Sequence, residues 1–261
     1  MPQPGGPIGI FDSGVGGLAV LREVRRLLPG EDLVYYADTA YFPYGPRPRD
    51  EIVERAHAIT QELLERGTKL VVVACNTATS AAVAHLRSRY DVPFVSIEPA
   101  LKPAAERTVT GTVALLVTPG TARGEKLAAL IDRHGRGVDA RVIEAPGLAE
   151  QVEAGALDGA ETLSMVRRFS DEVRGSGADV LALGCTHYAF LRAAFERALG
   201  DGISVLEPSE AVARQVERVL DERGLRSGRE SGGRTVYVCS GDAAAFAVVR
   251  DAVLSESVGV R

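Results

Sequence analysis

Short apolar runs rich in β-branched residues alternate along this chain with longer stretches in which apolar residues recur every three or four positions. That alternation is the pattern of a parallel sheet covered by helices, since each period lays one face of its element on a core. The runs predict strands over 8–11, 33–36, 70–74, 94–97, 112–117, 141–144, 180–183, 203–206 and 236–238. After the first, "GLAVLREVRRLLPG" sets Leu18, Leu21, Val24, Leu27 and Leu28 on one helical face, and Pro29-Gly30 stops it. "RDEIVERAHAITQELLERG" does the same with Ile52, Ala56, Ile59, Leu63 and Leu64, started by Asp50 and ended by Gly67. "GLRSGRESGGR", 224–234, reads as a flexible loop before the last strand.

The pattern repeats itself. "FVSIEP" follows Cys75 with Glu98 at +23, and "SVLEP" follows Cys185 with Glu207 at +22. Upstream, Asp12 of "GIFDSGVGG" precedes Cys75 by 63 residues, and Thr118 of "LLVTPGTARG" precedes Cys185 by 67. Four landmarks thus recur in order at an offset of about 105 to 110 residues. Any two βαβα stretches look alike at coarse grain, but matched order and matched spacing favour a tandem pair of α/β units.

In open α/β sheets, ligand groups collect at the carboxyl ends of strands. Both "VVVACNTATSAAV" and "VLALGCTHYAFL" place a cysteine there. If the two units face each other about a pseudo-two-fold axis, Cys75 and Cys185 approach one cleft from opposite sides. Two opposed thiols suit a two-base inversion, in which one takes a proton from a carbon and the other returns one to the opposite face. A cysteine before a helix meets the positive end of the helix dipole, which predicts a lowered thiol pKa. His187 is a natural partner for Cys185, and Asp12 offers an acceptor or a seat for a substrate ammonium. The plainer alternatives are buried hydrophobic cysteines, a structural His187, and Asp12-Ser13 as the cap of a helix beginning near Gly16. The polar, mutually matching flanks of Cys75 and Cys185 favour function; Cys239, without such flanks, reads as structural.

Three other site types fail on detail. "DSGVGG" is neither of the two common glycine-rich phosphate turns. An aspartate phosphoryl-transfer loop wants a second acid at position 14, which is glycine. No C-x-x-C or paired-His spacing supports zinc at Cys75, Cys185 and His187.

Composition narrows the class further. A chain of 261 residues with 46% hydrophobic and 25% charged residues is ordinary for a globular protein. A net charge of −5 argues against nucleic acid or an anionic membrane as the main partner, so the arginines of "LREVRRLL" and "GPRPRD" read as a solvated helix face and a loop. Three scattered cysteines do not make a disulfide framework, and no signal segment or bilayer-length apolar run is visible, so the expected location is the cytoplasm.

Taken together, "IGIFDSGVGGL", "YYADTAYFPYG", "ACNTAT", "IEP", "GCTHY" and "EPSE" resemble the glutamate racemases, over nearly the whole chain. The resemblance implies two similar doubly wound parallel-sheet domains with the active site in the cleft between them: 1–97 completed by 209–261, and 98–208. It implies interconversion of L- and D-glutamate without pyridoxal phosphate, metal or other cofactor, supplying D-glutamate for peptidoglycan, and pairing as a homodimer. Carried over position by position, Cys75 and Cys185 are the proton donors and acceptors, aided by Asp12 and His187. Asp12, Ser13, Tyr44, Gly45, Asn76, Thr77, Thr186 and His187 line the substrate. Thr118, Thr121 and Glu153 are secondary candidates. The chain departs from the family where "ARGEKL" follows Thr121 and where Ala145 replaces a common cysteine. Its seven residues before the first strand also imply no extended activator-binding segment.

The rival readings are a racemase of aspartate or a hydantoin, a Cys185–His187 hydrolase, and a non-catalytic binding module. A hydrolase needs only one thiol and leaves Cys75 without a role. A module that binds without turnover needs neither.

Overall fold

A computed structural model describes residues 2–255, which form two all-parallel sheets; Met1 and residues 256–261, the end of the 209–261 segment, lie outside the described residues. The first sheet holds β1 (Ile8–Asp12), β2 (Leu33–Ala37), β3 (Leu70–Val73), β4 (Phe94–Ser96) and β9 (Thr235–Cys239), in the order β4-β3-β1-β2-β9. The second holds β5 (Thr112–Val117), β6 (Asp139–Glu144), β7 (Val180–Leu183) and β8 (Ser204–Leu206), in the order β6-β5-β7-β8. From one edge the first four strands read 4-3-1-2 and the second four 8-7-5-6. The topology therefore repeats, as the sequence landmarks do.

The helices are α1 (Leu18–Leu27), α2 (Arg49–Glu65), α3 (Asn76–Arg89), α4 (Leu101–Arg107), α5 (Pro119–Ala122) and α6 (Glu125–His134), then α7 (Leu148–Glu153), α8 (Ala160–Gly175), α9 (Arg192–Leu199), α10 (Ser209–Arg223) and α11 (Ala243–Ser255). The first two form where the apolar spacing predicts them, burying Leu18, Leu21 and Val24, and Ile52, Ala56, Ile59 and Leu63. Asp50 does not start α2. Pro48 precedes the helix, Arg49 opens it, and Asp50 sits in the first turn, where its charge meets the helix dipole instead of capping an N–H. Gly67 ends it at φ +77°, a left-handed geometry that suits glycine.

The chain crosses β1 between β2 and β3, and crosses β5 between β6 and β7. Strand order reverses there, opening a crevice at the carboxyl ends of β1 and β3 and another at those of β5 and β7. At the opposite end of the first sheet a buried ion pair joins Lys69 to Glu31 at 2.6 Å. Lys69 also donates to the Pro4 carbonyl, and Glu31 accepts the Ser227 N–H, so one charge pair anchors the amino-terminal segment and the 224–234 loop. With Arg229 paired to Asp32 and the Arg234 N–H bonded to the same carboxylate, that loop is tied down and not free-swinging.

Candidate active site

Both crevices carry the residues singled out in the sequence. In the first, β1 ends on Asp12, with Ser13 next; two residues past β3, Cys75 precedes α3 and its sulfur accepts the Ala78 N–H at 3.4 Å. In the second, Thr118 follows β5 and its hydroxyl accepts the Thr121 N–H at 3.3 Å. Two residues past β7 comes Cys185, followed by a 3-10 turn over His187–Leu191. Both thiols are buried.

Hydrogen bonds stitch the crevices together. Thr186 donates its hydroxyl to Asp12 at 2.8 Å, and the other Asp12 oxygen accepts the Ser13 hydroxyl at 3.0 Å and the Gly14 N–H at 3.1 Å. The Ser13 hydroxyl lies 3.8 Å from the Cys75 sulfur. On the other side, His187 Nδ1 lies 3.8 Å from the Cys185 sulfur, while Nε2 donates to Glu153 at 2.8 Å. The same Glu153 oxygen accepts the Val15 N–H at 2.8 Å, across from the first sheet. Thr77 faces Thr118 at 3.4 Å and Thr121 at 3.5 Å.

This arrangement explains "DSGVGG". A Cβ on Gly14 would sit 2.1 Å from a Glu153 carboxylate oxygen, and one on Gly16 would sit 2.3 Å from His187 Nδ1 and 2.6 Å from the Thr186 hydroxyl. The glycines let the turn after β1 approach the second sheet's polar residues directly. Asp12 and Ser13 do not cap α1, which begins at Leu18 without a side-chain cap; Asp12 folds back on its own turn and across to Thr186.

Burial governs the charges. It raises the Cys75 thiol to about 12, with nearby Asp12 and Cys185 adding to the rise and the Ala78 N–H opposing it. The lowered pKa expected of a thiol at a helix start is therefore not found: desolvation outweighs one N–H and the dipole. Burial also raises Asp12, against the pull of His187 and its hydrogen-bond donors. His187 shows the reverse balance. Burial disfavours its charge, but Cys185 and Glu153 outweigh burial and hold it well above the ordinary imidazole value. A protonated ring donates to Glu153 from Nε2 and turns Nδ1–H toward the Cys185 sulfur.

The remaining candidates divide. Asn76 is buried beside Cys75, and neither its side-chain nitrogen nor its oxygen has a partner among the described residues. Tyr44 is buried in the same cluster as Cys75 and donates its hydroxyl to Asp38 at 2.5 Å, and Asp38 is gripped by both Arg55 donors at 2.7 and 3.1 Å. It is Gly45 that reaches the second sheet: a Cβ on Gly120 would lie 2.7 Å from the Gly45 carbonyl oxygen. Cys239 contacts Thr39 at 2.9 Å, outside the network around the thiols. Asp38 and Arg55 escaped the sequence reading. The available signal was an acid directly after β2, one step beyond the strand-end position that Asp12 holds in β1. Tyr35, which donates to the Gly14 carbonyl at 2.6 Å, escaped because it lies inside an apolar strand.

Known proteins are similar to this chain in sequence and in fold. A family profile described as Asp/Glu/hydantoin racemase matches residues 8–216. The glutamate racemase of Herpetosiphon aurantiacus is 46% identical over 244 residues, covering 94% of this chain and 96% of that protein. The Escherichia coli glutamate racemase, solved with L-glutamate and the activator UDP-MurNAc-ala, superposes with a TM-score of 0.84 at 32% identity, covering 96% of this chain and 95% of the other. The RacE1 glutamate racemase of Bacillus anthracis superposes with a TM-score of 0.88 at 28% identity, covering 96% and 94%. With two parallel-sheet domains and relatives of this identity over nearly its full length, the chain is an isomerase and belongs to the Asp/Glu/hydantoin racemase family, among its glutamate racemases.

Proposed function

We propose that the chain interconverts L- and D-glutamate by moving a proton on and off Cα with two cysteines, Cys75 and Cys185. One observation carries the reading: two buried thiols, each just past an inner strand of its own sheet, flank one network in which Thr186, next to Cys185, donates to Asp12 at 2.8 Å and Ser13, next to Asp12, lies 3.8 Å from Cys75. Inversion at carbon requires an acceptor on one face and a donor on the other. In one direction Cys185 takes the α-proton while the Cys75 thiol gives one; in the reverse direction they exchange roles. Negative charge on Cys185, present before it takes a proton and after it gives one, faces the His187 ring, and Glu153 fixes that ring from behind.

Asp12 meets the substrate ammonium. Ser13, Asn76, Thr77 and Thr186 donate to its carboxylates, with backbone N–H groups at the start of α3, and Thr118 and Thr121 extend this polar lining. The Asn76 amide supports the assignment, because a buried polar group without a partner costs about 1–3 kcal/mol that a bound carboxylate recovers. Tyr44, held by Asp38, and Gly45 complete the substrate lining.

Circular dichroism of L-glutamate with purified protein, no cofactor added and L-aspartate alongside, tests the reading. Loss of the glutamate signal is expected. Loss with aspartate alone keeps the thiols but assigns another substrate, and no loss with either ends the reading. The Cys185–His187–Glu153 chain also has the form of a hydrolytic triad. That alternative leaves Cys75 and Asp12 idle and predicts no inversion.

The raised Cys75 pKa sets a pH dependence. Because burial raises it, Cys75 keeps its proton as pH climbs past the ordinary thiol value and loses it only near about 12. In the direction in which Cys75 donates, the alkaline limb of kcat/KM is therefore displaced upward, with activity retained to about pH 10 where an ordinary thiol donor, of pKa about 8.5, has failed. A fall centred near the ordinary value contradicts the assignment.

The same reading divides the chain into 1–97 with 209–261, and 98–208. It is supported by the pairing of β9 with β2 and the packing of α10 on α1. It places the enzyme in the cytoplasm, supplying D-glutamate to peptidoglycan synthesis and working as a homodimer. No helix among the described residues is long and apolar enough to cross a membrane.

A further inference from the structure

The thiols are buried and the backbones of Gly45 and Gly120 meet over the cleft, so an acidic substrate has to be gathered outside before it passes that contact. Directly beside the contact lies a cavity of about 710 Å³, bordered by Gly45, Thr77 and Gly120 from the site itself. Four cations line it, Arg47, Arg49, Arg123 and Lys126, against one carboxylate, Glu125. In a chain with a net charge of −5 this is a marked local reversal. The arginines of "GPRPRD", expected on a plain solvated loop, form one wall of it.

Arg47 is committed to Glu51 and to the Tyr41 carbonyl. Arg49, Arg123 and Lys126 have no ion pair among the described residues. Burial lowers the Lys126 pKa, and Arg87 and Arg133 lower it further while Glu98 opposes them, so this ammonium is short of countercharge. Two helices open toward the cavity: Pro48 and Arg49 begin α2, and Gly124 and Glu125 begin α6. Behind it, a smaller recess shares Ser80 and Lys126 and reaches the unpartnered, 5%-exposed Asn76. A second cavity of about 220 Å³, on the other side of the Gly45 contact, shares Arg123. Arg123 therefore stands at both approaches.

We propose that this cavity is an anion-capturing vestibule, in which Arg49, Arg123 and Lys126 bind the carboxylates of an acidic amino acid and pass it inward past Thr77. The inference deepens the glutamate reading above and rests on it. The inner site's carboxylate donors, Ser13, Asn76, Thr77 and Thr186, are neutral, so long-range attraction is supplied here, outside the reacting position, where it speeds capture without holding the substrate in place. Such attraction acts on entry and is screened by salt.

The test is steady-state racemisation of L-glutamate, at low and at high ionic strength, by wild type and by an Arg49→Gln/Arg123→Gln variant. An Arg107→Gln/Arg197→Gln variant, altered at two exposed positions outside the cavity lining, controls for net charge. At low salt the vestibule variant is expected to raise KM about 5- to 10-fold with kcat within about 2-fold, an effect of the size that steering supplies. Added salt is expected to raise KM in wild type and in the control, and little in the vestibule variant. Unchanged KM and unchanged salt dependence in the vestibule variant, or an equal change in the control, overturn the vestibule alone. Wild type that does not turn over glutamate overturns the glutamate reading and the vestibule together. A thermal melt within a degree or two of wild type shows that the variant's fold is intact, and a KM effect explained by unfolding, with the melt lost and Arg49→Lys/Arg123→Lys failing to restore KM, overturns the proposal as well.

Discussion

Cys75→Ala and Cys185→Ala are each expected to lower glutamate racemisation by about 10³-fold or more, the upper part of the range that a positioned proton-transfer group contributes. Each variant should retain its fold. A buried cysteine is a small hydrophobe, and alanine removes one sulfur from a site that already tolerates polar neighbours, so the cost is about 1 kcal/mol. The two losses should also be non-additive. Once one thiol is gone, inversion has no second face to work from, and removing the other takes away little more. Thermal melts combined with circular dichroism at saturating glutamate check both halves. Either single variant racemising at more than about a tenth of the wild-type rate contradicts a two-thiol mechanism, because full loss is what a missing acid or base predicts.

Gly16→Ala is expected to cost about 10² in kcat, although it adds one methyl group, because displacement of a catalytic group by about 1 Å is worth that much. The methyl carbon would lie 2.3 Å from His187 Nδ1 and 2.6 Å from the Thr186 hydroxyl. Neither neighbour yields freely. His187 is held by Glu153, and Thr186 is held by Asp12. Relief therefore pushes the second sheet's loop away from the first, separating Cys185 from its partner face. Gly202→Ala, at a position with nothing within 4 Å of the added carbon, is the matched control and should leave kcat unchanged. Equal kcat values for the two alanine variants would mean that the "DSGVGG" turn does not set the cleft geometry.

These two predictions show what a sequence carries and what it conceals. The strands were legible because a fully buried parallel strand is a short apolar run with few alternatives, as in Leu70–Val73 and Val180–Leu183. The duplication was legible because both halves keep the strand-to-cysteine-to-Glu-Pro spacing to within one residue, and the strand orders repeat accordingly. The two cysteines, Asp12, Thr186 and His187 could be named from their flanks, and the fold brings them into one hydrogen-bonded network. What could not be read were quantities that depend on distance across the cleft. The need for glycine at 14 and 16 comes from Glu153 and His187, which are 139 and 171 positions away in sequence, and no local pattern marks it. The raised Cys75 thiol follows from complete burial beside Asp12, whereas the local sequence shows only a helix start. The basic wall beside the cleft is divided between "GPRPRD" and "ARGEKL", two loops that the fold alone brings together.

The central claim is that the proton leaves Cα to one cysteine and returns from the other. The most direct test starts from protiated L-glutamate in D2O and follows deuterium at Cα in both enantiomers at early conversion, by mass spectrometry after chiral separation. Two opposed thiols predict D-glutamate that carries solvent deuterium from its first appearance, while the remaining L-glutamate stays protiated, because the thiol that removed the proton is not the one that delivers to the product. D-glutamate that retains the substrate's own proton, or L-glutamate that gains deuterium as fast as the product forms, would place a single base on both faces and contradict the account.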